Sequence, residues 1–600
     1  MEYSMTQTIE QKLIAIREHM TAANLDAFVV PRADEYLGEY VPEHNQRLLW
    51  CSDFTGSAGT VIILKDRCAI FTDGRYTIQV KQQVNAQHFE FYHLIETPHM
   101  QWVSEQLSAG ANIGFDAKVH NLNWYHDSLA TLTEKNINLI AVKQNPIDLS
   151  WSDRPVPTKN KGLLLAQKYT GLSSLEKRQQ IGACIAAQGA DVVIISALDS
   201  IAWLLNIRGK DIHCFCVILG SAILSKDGKM TFFTDPEKIP TGFVEHVGEG
   251  VTIVEESQST ASYQALGQQG LTLLADPETT NAFSQLTAQQ AGATLLSGSD
   301  PVALPKACKN STELKGMQQA HIRDAVAEIR FLAWLDTEVA QGSLYDEAQL
   351  SNALTDFRVS GKNFIELSFD TISAAGGNAA MCHYNHMNGT PAMLPMNSLY
   401  LVDSGAQYLD GTTDITRTVA IGTPSEAHKK MFTLVLKGHI ALAQMRFPQG
   451  TSGGQLDALA RQFLWQQGYD YDHGTGHGVG CFLNVHEGPH RIAKNSNSVP
   501  LELGMVVSNE PGYYKQNEYG IRCENLIYVV EKGNGHDGKT FYEFETLTLV
   551  PFDRRLIEKS LLTEVERNWI NHYHTQVNDQ IAPLLSGADL EWLNEATQAI

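Results

Sequence analysis

The sequence predicts a mixed architecture: two similar α/β units in tandem, then a larger α+β region that holds the chemistry. Three observations lead there. The stretches AANLDAFVVPRADEYLGEY and FTGSAGTVIILKDRCAIFTDGR repeat, in order, as AAQGADVVIISALDSIAWLL and IRGKDIHCFCVILGSAILSKDGKMTFFTD. After about residue 310 several stretches carry the helical apolar period. In the same region, apolar strand-like runs end in carboxylates. At 600 residues the chain is too long for one core, and three or four domains are expected.

The first unit, 1–153, has a buried-type strand AFVV at 27–30 and a hairpin ending in Phe71-Thr72-Asp73. The second, 154–306, has VVII at 192–195 and a hairpin ending in Phe233-Thr234-Asp235. RPVPTKNKG (154–162) reads as the linker. The third region spans 307–600. There Asn310 and Glu313 form a capping-box pattern, and Ile322, Val326, Ile329 and Ala333 predict a long amphipathic helix. Ser425 caps another, with a stripe of Met431, Leu434, Val435, Leu442 and Met445, stopped by Pro448 and Gly450. Leu456, Leu459 and Phe463 mark a third, ending at Gly468. Residues 398–422 read as two strands around a turn near Asp410-Gly411, and 504–514 and 520–530 as two more. The tail, about 552–600, reads as helical, with Trp569 and Tyr573 as anchors.

Bulk properties exclude several classes. A net charge of −22 argues against nucleic acid or an anionic membrane as the main partner. Nine cysteines, an odd number with no CxxC, argue against a disulfide framework or zinc ribbon and for a reducing compartment. MEYSMTQTIEQKLIAIREHM has no apolar h-region, and Glu2, Glu10 and Glu18 argue against a transit peptide. No run approaches the roughly 18 apolar residues of a membrane span. A soluble cytoplasmic protein is the expectation.

The chemistry concentrates in the third region. HGTGHGVG (473–480) places two histidines four apart. Its four glycines would each cost about 1 kcal/mol in a helix interior, so it is a loop or strand edge. At most one of His473 and His477 then ligates a given ion. Leu399, Leu401 and Asp403 share a strand face, and Asp414 begins the return strand. Glu510 follows Met505-Val506-Val507, and Glu524 sits between Ile521 and Leu526. Inward carboxylates are costly unless paired or metal-bound. On one curved sheet the four would converge and repel. Protonation, or Arg417 and Arg522, would relieve part of this; two divalent cations would relieve it fully. Oxygen-rich ligation with one nitrogen suits Mn²⁺, Fe²⁺, Co²⁺ or Zn²⁺. Two such ions can share a hydroxide nucleophile and polarise a carbonyl.

The set LVDSGAQYLDGTTDITRT, HGTGHGVGCFLNVHEGP, SNEPGYY and GIRCEN resembles the M24-like pita-bread metallopeptidases. With two preceding α/β domains, FTGSAGTVIIL and FTDGRY, the whole chain resembles the long, three-domain X-Pro aminopeptidases (aminopeptidase P). The resemblance implies two creatinase-like N-terminal domains, a pita-bread catalytic domain and two divalent metal ions per subunit, Mn²⁺ first, with Zn²⁺, Co²⁺ or Fe²⁺ as alternatives. It implies Asp403 on one metal, His477 and Glu510 on the other, and Asp414 and Glu524 bridging. It also implies substrate contacts for His383 and His486, a proline pocket lined by His473 and Tyr514, and Arg522 in the hydrogen-bond network. Glu510 would shuttle the proton. The substrates would be peptides with N-terminal X-Pro, and the assembly a homodimer. A prolidase-type dipeptidase and an inactive scaffold are the alternatives.

SNEPG stands where the family more often has TDEPG, and Cys523 where a bulkier apolar residue is common. Cys523 beside the site points to activity sensitive to thiol reagents. His386, His490 and the tail histidines read as surface residues.

Overall fold

The computed structural model describes residues 7–495 and 498–600, so Glu2 lies outside the described residues. The chain divides into two compact units, one of 1–164, 172–213 and 217–302, the other of 165–171, 214–216 and 303–600.

The first unit contains two six-stranded sheets with one shared plan. The order is Phe89–His93, Cys68–Thr72, Thr60–Leu64, Ala27–Pro31, Asn112–Phe115, Asn138–Ala141 in one. In the other it is Val251–Val254, Met230–Phe233, Ser221–Ser225, Val192–Ile195, Thr272–Ala275, Thr294–Ser297. In both, the three hairpin-side strands are antiparallel and the outer strands join in parallel. The central strands Ala27–Pro31 and Val192–Ile195 are buried on both faces, which is why they read as unbroken apolar runs. The stretch 154–162 has no helix or strand. It is tied down by Thr158, whose hydroxyl donates to Asp211 at 2.8 Å.

In the second unit, helix Ser311–Ala340 starts at Asn310, whose side chain accepts from the Thr312 and Glu313 amides. It buries more than an apolar stripe. Asp324 and Glu328 are buried too, paired with the fully buried Arg358 at 2.9 and 2.6 Å. Arg358 comes from helix Glu347–Val359. Glu328 also accepts from the Ser404 hydroxyl at 2.7 Å. This polar knot fastens both helices to strand Ser398–Ser404, which carries Asp403. Helix Glu426–Ala443 starts at Ser425 and ends before Pro448, which lies in the short strand Phe447–Pro448. Helix Gly453–Trp465 is followed by Gly468 at φ +76°.

The strands differ from the expectation of one curved sheet. Residues 398–422 divide at Gly405. Ser398–Ser404 pairs with Ile415–Ile421 in a three-stranded ladder, while Ala406–Tyr408 and Gly411–Thr412 belong to another. Residues 504–514 split into Val506–Asn509 and Gly512–Lys515, and 520–530 into Tyr519–Arg522 and Asn525–Asn534. Pro511 has no N–H for a ladder, which helps to break the first pair. Asp414, Glu510 and Glu524 all sit in the gaps between strands.

The tail forms helices Glu564–Ile581 and Gly587–Ala596. Tyr573 anchors it: the hydroxyl donates to the Val550 carbonyl at 2.7 Å, and Trp569 stacks on the ring at 5.4 Å. His386, His490 and His574 are buried, contrary to the surface reading, while His572 is exposed. His490 bonds the Val506 carbonyl at 2.8 Å, and His574 accepts from the Phe552 amide at 3.2 Å. Each meets a backbone group distant in sequence, which local pattern does not reveal. Among the described residues no helix is long and apolar enough to cross a membrane, and no disulfide joins any of the nine cysteines.

Removing Arg358 leaves two buried carboxylates facing each other. Arg358→Met is expected to destabilise the second unit by about 3–5 kcal/mol, read as a lower denaturant midpoint by intrinsic fluorescence. A midpoint equal to wild type would contradict this.

Candidate active site

Strand pairing begins the site. Asp403 and Thr416 are cross-strand partners in the ladder of Ser398–Ser404 with Ile415–Ile421. The Thr416 hydroxyl donates to Glu524 Oε2 at 2.7 Å and accepts from Arg522 Nε at 3.0 Å. Arg522 also pairs with Asp403 Oδ2 and donates to the Tyr514 hydroxyl at 2.7 Å. Arg417, offered by the sequence as a second neutralising charge, points elsewhere. It is next to Thr416, so alternation sends it to the opposite face. There it donates to the carbonyls of Glu524, Val550 and Pro551.

The glycine-rich stretch supplies the nitrogen ligand candidate. Gly476–Gly478 is a short strand edge, not a helix. At Gly476 an added Cβ would lie 1.9 Å from the Ser508 carbonyl oxygen, so only glycine permits this approach. His477 donates its amide to Ser508 Oγ at 2.9 Å, and Ser508 Oγ donates to Glu510 Oε1 at 3.1 Å. Its ring Nδ1 lies 3.0 Å from the Gly478 carbonyl. A carbonyl can only accept, so Nδ1 carries a proton, and Nε2 is the ring nitrogen turned toward the carboxylates and free to serve as a metal ligand once deprotonated. Nε2 is 3.5 Å from both Asp414 Oδ2 and Glu510 Oε1. Donor atoms of Asp414, His477 and Glu524 all lie within 4.8 Å of one another.

His473 points to a different wall. Its Nδ1 bonds the Gly474 carbonyl and its Nε2 accepts from Tyr514, each at 2.7 Å. Burial, then the Arg522 charge, holds its pKa well below the ordinary value. The 3.9 Å approach of Nδ1 to Glu510 Oε2 is therefore no ion pair. A charge on His383 would add to the disfavouring of one on His473. The His486 ring meets the His477 ring edge-on, 4.4 Å between centroids.

Charge dominates this site. Burial, then Glu524, Asp403 and Glu510, push Asp414 well above the usual carboxylate range. Burial, then Asp403 and Glu510, do the same to Glu524. Glu510 is pushed up to about 7 by burial and Asp403, against the opposing pull of Arg522. Asp403 Oδ1 is buried with no hydrogen-bond partner. Four crowded carboxylates, an orphaned oxygen and an imidazole Nε2 fit hard to borderline divalent cations.

The structure thus brings together Asp403, Asp414, His477, Glu510 and Glu524, with Arg522, Tyr514, His473, His383 and His486 around them. The Cys523 thiol is buried and pushed up to about 12 by that burial, so it offers no ready thiolate to reagents. Sequence reasoning missed Thr416 and Ser508. Each stands two residues from a carboxylate, Asp414 or Glu510, a spacing that could have found them. It also missed Arg461, which donates to the Tyr471 and His473 carbonyls at 2.6 and 2.8 Å and pairs with Asp457 at 2.7 Å. The i, i+4 charge pair was the available signal.

Comparison with known proteins agrees with this construction. Residues 12–145 and 153–313 match the creatinase/prolidase N-terminal domain, 315–531 match metallopeptidase family M24, and 540–600 match the C-terminal region of peptidase M24. The chain is 39% identical over 616 residues to a probable Xaa-Pro aminopeptidase P of Tuber melanosporum (strain Mel28), covering 98% of this chain and 99% of that one. It is 36% identical over 637 residues to aminopeptidase P2 of Arabidopsis thaliana, covering 99% and 89%. A solved X-prolyl aminopeptidase from Caenorhabditis elegans, described as a cytosolic enzyme with a di-nuclear active site, superposes with a TM-score of 0.94. It is 32% identical and covers 99% of this chain and 100% of that one. With both N-terminal domains matched and the likeness running end to end, the chain belongs to metallopeptidase family M24, in its aminopeptidase P group.

Proposed function

We propose that this protein is a metalloaminopeptidase that releases the N-terminal residue from peptides with proline in the second position. The observation that carries the reading is the convergence of Asp414, His477 and Glu524 donor atoms beside the unpartnered Asp403 oxygen. Asp403, Asp414 and Glu524 would hold one divalent ion, and Asp414, His477, Glu510 and Glu524 a second, with Mn²⁺ the proposed metal. Such ions supply Lewis acidity and a water acidic enough to be a nucleophile at neutral pH.

The residues of the chain do the rest. Glu510 accepts the proton of the attacking water and returns it to the proline nitrogen. That nitrogen carries no N–H in the peptide, so it leaves only after gaining a proton. His383 and His486 donate toward the carbonyl oxygen as it gains charge. His473 and Tyr514 form the wall for the proline ring, and Arg522 holds Tyr514 and Asp403 in place. We further propose 1–153, 154–306 and 307–600 as the domain division, a cytoplasmic location and a homodimer. Light scattering that gives a monomer mass would refute the dimer.

The activity is tested by hydrolysis of Arg-Pro-Pro against Arg-Pro, using chelated protein and then added Mn²⁺. Metal-dependent cleavage of the tripeptide, with little of the dipeptide, is expected. Cleavage of the dipeptide alone would make it a prolidase, and no cleavage with any divalent metal would make it a scaffold. Glu510→Gln should lower kcat roughly 10²- to 10⁴-fold; activity within a few-fold of wild type would remove Glu510 from the proton path.

The raised carboxylates set the stability of metal-free protein. In the unfolded chain they titrate near pH 4; in the folded site Glu510 titrates at about 7, with Asp414 and Glu524 also raised. Between those values the folded state holds protons that the unfolded state has lost, so stability falls as pH rises. Mn²⁺ takes the place of those protons. The gap in Tm between Mn²⁺-loaded and chelated protein should therefore widen from pH 5 to pH 7.5. Calorimetry showing a constant or narrowing gap would contradict it.

A further inference from the structure

Loop 376–391 carries His383 and is held by one residue that the mechanism does not use. Glu347 opens helix Glu347–Val359 and is fully buried. Its Oε1 accepts from the Ala375 amide and from Asn378 Nδ2, both at 2.8 Å. Its Oε2 accepts from the Tyr384 hydroxyl at 2.7 Å and the Ala392 amide at 2.8 Å. Its own amide donates to the Ala392 carbonyl at 3.0 Å, and its carbonyl accepts from the Ser373 hydroxyl at 2.7 Å. No cation pairs with it among the described residues. The carboxylate is saturated by four donors, all from the loop or its two ends.

The arrangement is a clasp. Ala375 and Ala392 are the residues where the loop leaves and returns. Asn378 and Tyr384 bracket His383, and they bond each other at 3.0 Å. On its other side the loop packs against strand Tyr519–Arg522. There a Cβ at Gly520 would lie 1.8 Å from the Ala379 carbonyl oxygen. An open loop of this length has many conformations, and each bond to Glu347 removes some of them. A fixed acceptor beside both brackets of His383 pre-orients that ring.

We propose that Glu347 is a positioning residue for the peptidase reaction, acting through Asn378 and Tyr384 to hold His383 at the substrate carbonyl. This rests on the role assigned to His383 above. Glu347→Gln keeps the shape but turns an NH₂ group toward two donors, which opens one half of the clasp.

The test is kinetic, on the Mn²⁺-loaded full-length enzyme with Arg-Pro-Pro. Glu347→Gln should lower kcat about 10- to 100-fold with KM within about twofold. Tyr384→Phe, which removes a single oxygen, should move kcat the same way by a smaller factor, and it keeps the test readable if Glu347→Gln does not fold. The deciding readout is the cycle with His383→Ala. Once the ring is gone its position no longer matters, so adding Glu347→Gln or Tyr384→Phe to His383→Ala should cause no further loss. Losses that multiply would show that the clasp acts on folding or elsewhere, and would overturn the proposal. So would wild-type kcat in either clasp variant when His383→Ala is impaired. Full activity in His383→Ala would instead overturn the role of His383, and this proposal with it.

Discussion

The mutual repulsion of four carboxylates withdrawn from water is the constraint on which the rest of the second unit depends. Asp403, Asp414, Glu510 and Glu524 face one Arg522 guanidinium and the His477 ring. Left to themselves, Asp414, Glu510 and Glu524 hold protons to higher pH than ordinary carboxylates. Divalent cations remove the same repulsion without protons, and they leave Glu510 able to take one. Stability and catalysis are thus two consequences of a single electrostatic problem.

The scaffold answers that problem with breaks in its strands. A carboxylate in the middle of a strand points to one face and is backed by a ladder. A carboxylate in a gap between two strands can be aimed by neighbours from several ladders. Glu524 is held by Thr416 from the separate ladder of Ile415–Ile421, and Glu510 by Ser508 from two residues earlier. The same economy appears at His477, where a bond to the adjacent carbonyl selects the tautomer that offers Nε2. Farther out, Arg461 and the Arg358 knot fix the glycine-rich stretch and strand Ser398–Ser404 through buried charge pairs.

Much of this was legible in the residues. The repeated α/β plan appears as two sheets with the same strand order and directions. The Asn310 and Ser425 caps start their helices, because capping chemistry is local. The five side chains that the family resemblance singled out lie together, though not on the one curved sheet that the apolar runs suggested. What the sequence hid depends on contacts between distant residues. Four strand-like runs hid their breaks, because a gap of one or two residues barely disturbs apolar alternation. Arg417 looked like a neutralising charge until alternation turned it away. His490 and His574 looked exposed because the backbone groups that they meet lie far along the chain. Glu347 looked like an ordinary helix-start carboxylate, since nothing in its neighbourhood announces the loop that it holds.

The central claim is that two divalent cations balance the four carboxylates. Anomalous diffraction near the manganese edge, from a crystal soaked in MnCl₂, tests it most directly. Two anomalous peaks are predicted, one among Asp403, Asp414 and Glu524 and one among Asp414, His477, Glu510 and Glu524. A single peak, or none with the carboxylates keeping the same positions, would contradict the account.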